Sequence, residues 1–450
     1  MQGFFPYLTL FLFLLVGYTT KQFAYVSGFR IKWEATLLTY VFFIGTMTGL
    51  GVPLNLIKWI NELLVILYLF RNYRKSKRVA VFILPASGIF LSISAIILVS
   101  FIINDSNAID SFYFLRFYLS PMLFFWGVYN SNLNEIQIKK LNHYLFFLFT
   151  FQIVAQLLKS ILWKGFPENP VGSITVAGGG IASFIPLFAF GFVLSFYFNY
   201  RNDKKYWLWL IGFVFIGIAS QKRAAFYFLP IVAFSFLYLN QQLSHGRNTF
   251  KQIRIIFLIS VLLPLLTFIS ASSNFILNQK IDKINLTSLI DYADEYSNSK
   301  NEKEGLVFGR ISAFQRTVEI VNESDLIISL FGWGPSTVKG FSRGDMKMEK
   351  FGFGGTFPGW TYQYLQIGLL GCFFYLLLFW TFFKEIYKIS RLERDPYWSS
   401  IEIGVLICII LVFTDFIIYS ITSLTMYAIT YPLFYMIAVI FKRKFRYSHA

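Results

Sequence analysis

Two short constellations hold the residues whose types could do chemistry. Ser220-Gln221-Lys222-Arg223 sits between two apolar runs, so Lys222 and Arg223 fall at the turn of a hairpin. Gly309-Arg310 precedes an amphipathic stretch, with Arg316 six residues further on. Arginine grips phosphate through a bidentate fork and lysine acts on it as a point charge. Both constellations therefore suit a phosphate-bearing substrate. On a helix starting near Ile311, Arg310 and Arg316 stand about 600° apart, so at most one points into a shared site. Arg310 is preferred, because the adjacent glycine permits close backbone approach. Plainer readings stand beside these. Lys222 and Arg223 also suit a tight turn with two interfacial cations, and an arginine here also suits a surface pair with Glu319 or Glu323. Asp415 lies inside an apolar run and is a candidate buried acid, while Arg116 near Asp110 reads as an ion pair.

Much chemistry has no residues to carry it. The three histidines are His143, His245 and His449, all near ends of apolar runs or in the tail. A histidine metal site or a Ser-His-Asp triad is not expected. Cys372 and Cys408 both lie in apolar runs and make no disulfide or zinc framework. No P-loop and no strand-borne dinucleotide fingerprint occurs. The expectation is a site without metal or cofactor.

The elements that must position these residues follow from composition. The 450 residues are 56% hydrophobic and 14% charged, with 55 Phe, 27 Tyr and a mean hydropathy of +0.58. Soluble domains carry about 25% charged residues. The expected fold is all-α, a polytopic helical membrane bundle. Candidate spans lie near 4–19, 35–51, 53–70, 79–103, 111–129, 141–163, 174–199, 206–220, 224–240, 255–273, 361–383, 399–418 and 421–441. Each would need roughly 20 mainly apolar residues to cross. The stretches 35–70, 206–240 and 399–441 are each short for two crossings. A re-entrant segment among the first three spans would reduce thirteen to twelve.

The net charge of +17 is unevenly spread. Residues 274–360 hold 11 acids and 10 bases, leaving 30 bases and 12 acids for the rest. The excess sits in short segments such as Arg71–Arg78, Lys384–Arg394 and Lys442–Arg446. This is the positive-inside pattern of a plasma-membrane protein and not a nucleic-acid footprint. It places the C-terminus in the cytoplasm and 274–360 outside. The apolar N-terminus lacks a basic start and is not expected to be cleaved. Three regions result: ten spans over 1–273, a large outer (periplasmic) loop over 274–360, and C-terminal spans with a basic tail over 361–450. Within the loop, Ile311–Leu330 is expected to be an amphipathic helix.

Four pieces in order resemble the bacterial O-antigen polymerase and O-antigen ligase superfamily. They are Ser220-Gln221-Lys222-Arg223-Ala224-Ala225, then Gly309-Arg310 before a helix, then Leu330-Phe331-Gly332-Trp333-Gly334. The fourth is Tyr362-Gln363-Tyr364-Leu365-Gln366-Ile367-Gly368-Leu369-Leu370-Gly371. The resemblance covers roughly Val171 to Gly371. It implies a metal-independent, inverting glycosyltransferase acting on undecaprenyl-diphosphate-linked glycans at the outer face of the bacterial inner membrane. Arg223 and Arg310 match the positions of that family's phosphate-contacting arginines. Lys222, Arg316, Trp333 and Tyr362 are candidate substrate contacts. The implied partners are the lipid-linked glycan and the bilayer, with a chain-length regulator as a further candidate and no nucleic acid.

One departure separates the members of that family. Its ligases carry a His-Asn pair just before the span that follows the large loop, and Gly359-Trp360-Thr361-Tyr362 has no His. A polymerase of polysaccharide repeats is therefore favoured over a ligase. The general base stays open among Asp345, Glu349 and Tyr362. A lipid-linked glycan transporter is the alternative from another class, although no two-half symmetry of the transporter kind is visible. A membrane scaffold without chemistry is the remaining reading.

Overall fold

The computed structural model describes residues 4–28, 31–75, 85–162, 172–175, 181–200, 204–219, 224–243, 298, 300–301, 306–307, 309–335, 351–353, 357–420 and 422–447. Apart from a two-residue antiparallel ladder, Lys300–Asn301 with Leu306–Val307, the regular elements among these residues are helical. In chain order they are α1 (Phe5–Thr19), α2 (Gln22–Ser27), α3 (Lys32–Phe42), α4 (Ile44–Gly49), α5 (Leu54–Lys75) and α6 (Pro85–Ile103). Next come α7 (Ala108–Asn130), α8 (Glu135–Leu162), α9 (Ile181–Asn199), α10 (Lys204–Ala219) and α11 (Ala224–Leu243). The C-terminal part holds α12 (Arg310–Glu323), α13 (Leu326–Phe331), α14 (Gly359–Ser390) and α15 (Pro396–Thr414). A π-helical turn (Asp415–Tyr419), α16 (Thr422–Thr425) and α17 (Tyr427–Tyr447) complete it.

Among the described residues, four segments are long and apolar enough to cross a membrane: Ala86–Ile103, Glu135–Lys159, Gly359–Ser390 and Pro396–Tyr419. Four shorter apolar helices lie within α1, α9, α10 and α11. The expected span over 35–51 is instead two short helices, α3 and α4, broken at Phe43. The expected helix over 311–330 is likewise two, α12 and α13, separated by Ser324 and Asp325 in extended backbone. The expected span 255–273 lies outside the described residues.

Close helix contacts are made where side chains are missing. A Cβ on Gly404 of α15 would stand 2.3 Å from the Phe192 ring of α9, and one on Gly191 would stand 3.1 Å from Ile407. Small residues let apolar helices approach when no water drives them together. The α5–α7 contact repeats this, with Tyr68 packed into the space at Gly127.

Contacts sort the described elements into two ends. One end gathers Glu393 and Arg443, which are hydrogen-bonded, with Trp398 donating to Glu135 at 2.9 Å and Lys442 donating to the Ser131 hydroxyl at 2.8 Å. The other gathers Ser100–Ser106, α12, α13, the start of α14, the π-helical turn at Asp415 and Ser423. The 19 residues of α15 separate the two ends by about 28 Å. Arg71, Arg394, Arg443 and Lys444 belong to helix ends on the first side, and Arg310 belongs to the second.

Candidate functional site

Arg310 is the first residue of α12. Its N-cap is Gly309, in extended backbone, with no side-chain cap and no acid in the first turn. A cation here works against the helix dipole. The helix start and the guanidinium therefore add positive potential at one place, which suits an anion. The guanidinium carbon stands 3.9 Å from the centroid of the Tyr419 ring. The Nε of Arg310 is buried and makes no hydrogen bond to the protein.

Tyr419 closes the π-helical turn that starts at Asp415. Such turns insert one residue into the helical ladder and recur at functional sites. Asp415 is fully buried and within electrostatic reach of Arg310. Its Oδ2 accepts a hydrogen bond from the Ser423 N–H at 2.7 Å, and its Oδ1 has no hydrogen-bond partner in the protein. An acid and an arginine thus lie within electrostatic reach of one another at one end of the helical assembly. Tyr419 also touches Phe228 of α11 at 5.5 Å and Phe184 of α9 at 5.8 Å between ring centroids. Phe228 stands on the first turns of the helix that follows Arg223 in sequence. Lys222 and Arg223 themselves lie outside the described residues, as do Asp345 and Glu349.

The two arginines of α12 part as the helical angle predicts. Arg316 Nη1 is 2.9 Å from Glu319 Oε2 and 3.8 Å from Glu323 Oε2, and its Nε donates to the Phe351 carbonyl at 3.1 Å. The ion pairing with Glu319 and Glu323 belongs to Arg316, while Arg310 turns to Tyr419. The helix is held on α14 by a 2.7 Å hydrogen bond between the hydroxyls of Thr317 and Thr361 and by Phe314 against Trp360.

The glycine motif and the start of α14 meet back to back. Gly332 has φ 77° and ψ −176°, and Gly368 has φ 66° and ψ −170°. Both conformations lie in a region essentially restricted to glycine. A Cβ on Gly332 would stand 2.7 Å from the Gly368 backbone nitrogen, and one on Gly368 would stand 2.3 Å from the Leu330 carbonyl. The break at Ile367 and Gly368 interrupts the α14 ladder, and partners from elsewhere use the freed carbonyls. Trp333 N–H donates to Leu365 O at 2.9 Å, and Ser100 Oγ donates to Gln366 O at 2.9 Å. Asn104 then donates to Gly332 O at 3.1 Å, tying α6 to the same knot.

Trp333 and Tyr362 are therefore placed within this knot. The Trp333 ring packs on Phe351 and Tyr364, at 5.1 and 5.9 Å. Tyr362 is buried between Phe357 and Phe114. Around them, three buried polar atoms lack a hydrogen-bond partner in the protein: Trp360 Nε1, Tyr364 Oη and Gln366 Oε1. Buried polar atoms are rarely left so, and each such atom asks for water or a ligand. They cluster over the first turns of α14, on the helix to which α12 is bonded.

Sequence reasoning singled out Arg310 and Asp415 separately but not their proximity, and it missed Tyr419. The acidic turn inside an apolar run was the available signal. Among the described residues no cluster of three metal-ligating side chains occurs. No protein-family model and no curated protein matches the chain.

Proposed function

We propose that this chain is a polytopic membrane glycosyltransferase that polymerises polysaccharide repeat units carried on undecaprenyl diphosphate, at the outer face of a bacterial inner membrane. The observation that carries the reading is Arg310 at a helix start over Tyr419, with the buried Asp415 in electrostatic reach. A diphosphate leaving group needs fixed positive charge, and a hydroxyl nucleophile needs a proton acceptor. The two are present together.

In the proposed reaction an acceptor hydroxyl oxygen attacks the anomeric carbon of the carrier-linked glycan. The bond from that carbon to the carrier phosphate oxygen breaks, and its electron pair leaves on the diphosphate. Configuration at the carbon inverts. The hydroxyl proton passes to a carboxylate, and Asp415 is the acid proposed for this role. Arg310, together with Arg223 by motif, stabilises the charge that grows on the leaving diphosphate. Removing one such preorganised donor costs about 10²–10³ in rate in enzymes that use them.

The reading is tested in a strain deleted for the chain and complemented with variants. Arg310→Ala and Arg223→Ala should each abolish long glycan while the protein level holds. Normal chain lengths in both variants would contradict the site. Long polymer accumulating on the carrier, with none on its final anchor, would point to a ligase instead.

A further inference from the structure

A second group of buried charges lies between α5 and α7. Arg116 is 4% exposed and Glu62 is 8% exposed. Arg116 Nε stands 3.7 Å from Glu62 Oε1, and Tyr427 Oη donates to the same oxygen at 2.9 Å. Lys58, one turn before Glu62, is within electrostatic reach of both. Its Nζ lies 5.4 Å from the centroid of the Phe117 ring, while the Arg116 guanidinium lies 4.5 Å from that of Tyr113. Two cations thus face one carboxylate. That carboxylate is already shared with a tyrosine hydroxyl, and Arg116 Nε and Nη1 make no hydrogen bond to the protein. Uncompensated buried charge is costly, so a positive surplus with unused donors calls for an anion.

The surroundings say which kind of anion. Beside Lys58, Trp59 stacks on Phe112 at 5.5 Å with both rings 40% exposed or more, and Leu56 and Leu63 on the same helix are 50% and 57% exposed. The cations therefore border a broad apolar face that a hydrocarbon chain can cover. A soluble anion gains nothing from that face, whereas a phosphate-bearing lipid uses both parts. The group also sits at the same end as Arg310. Ser423, which donates to Asp415, is four residues before Tyr427, which donates to Glu62.

We propose that Lys58 and Arg116 form a second phosphate-binding subsite, which takes the diphosphate of a polyprenyl carrier lying along α5 and α7. Naming its occupant rests on the polymerase reading above, since joining two carrier-linked glycans requires two carriers to be held at once. Arg310 holds one diphosphate, and the Lys58–Arg116 pair holds the other.

The test counts polyprenyl diphosphate bound to the purified full chain in phosphatidylcholine nanodiscs, by native mass spectrometry. The wild type should bind two. Lys58→Gln should bind one, with at least a tenfold loss of affinity at the second step, and Arg310→Gln should also bind one. Arg116→Gln combined with Glu62→Gln removes the pair without stranding a buried carboxylate, and should match Lys58→Gln. Stoichiometry of one in the wild type, or two in Lys58→Gln, would overturn the subsite. Phosphatidylglycerol filling the second position and resisting displacement by polyprenyl diphosphate would overturn it too. The two proposals fail separately. An unchanged glycan profile on deletion contradicts the polymerase even if Lys58-dependent carrier binding persists. A lost ladder with unaltered binding in Lys58→Gln contradicts only the subsite.

Discussion

Gly332 and Gly368 face each other backbone to backbone, 36 residues apart in sequence, each with a positive φ of 77° and 66°. The contact joins the turn after α13 to the break in α14. It sets where the first turns of α14 lie, and α12 is bonded to those turns through Thr317 and Thr361. The position of Arg310 is thereby tied to two glycines that carry no chemistry of their own.

Gly332→Ala and Gly368→Ala should both destabilise the protein. Backbone strain in this region costs about 1–3 kcal/mol per residue, and the added Cβ atoms would also meet backbone at 2.7 and 2.3 Å. Thermal unfolding in detergent should show a lowered midpoint for each. A midpoint equal to the wild type would mean that the two backbones can separate without cost.

Arg310→Lys should retain little activity. Lysine keeps the charge but loses the planar fork that binds phosphate at two points and stacks on the Tyr419 ring. We expect a drop in chain-extension rate on the order of 10²-fold, within the range seen when an oriented donor is lost. Full activity in Arg310→Lys would reduce the role to a point charge.

Arg316→Ala should behave differently from Arg310→Ala. Its guanidinium is engaged with Glu319, Glu323 and the Phe351 carbonyl at a partly exposed position. Exposed pairs contribute below about 1 kcal/mol. The ladder should persist with near-normal length. Loss of the ladder equal to that of Arg310→Ala would assign Arg316 a substrate contact after all.

The orientation can be read with a single cysteine. Asn298 is exposed, and Cys372 and Cys408 are both buried, so an Asn298→Cys chain offers one reactive thiol among the described residues. An impermeant maleimide should label it in intact spheroplasts. Protection until the membrane is permeabilised would invert the topology.

Much of the helical layout was legible from apolar runs bounded by basic clusters, because hydropathy and positive charge are local properties. The bounds of α7 and α11 and the start of α14 fall close to the expected spans for that reason, while α14 runs on to Ser390, past the expected end at 383. The break at Phe43 was not legible, since there the Thr46 N–H donates to the Ser173 carbonyl of a distant segment. Gly332 and Gly368 stood out only within motifs. Their left-handed backbones exist because another backbone packs against each, and one-dimensional spacing does not report that. The angular separation of Arg310 and Arg316 follows from helix geometry alone, so that division was visible in advance. The pairing of Arg116 with Glu62, not with the nearer-in-sequence Asp110, needs the packing of α5 on α7.

The central claim is tested most directly by resolving surface and carrier-linked glycans on gels from three strains: wild type, deletion, and deletion complemented with Arg310→Ala. The account predicts a long ladder in the first and a single repeat unit in the other two, at equal protein level for the complemented variant. An unchanged ladder in the deletion strain would contradict it.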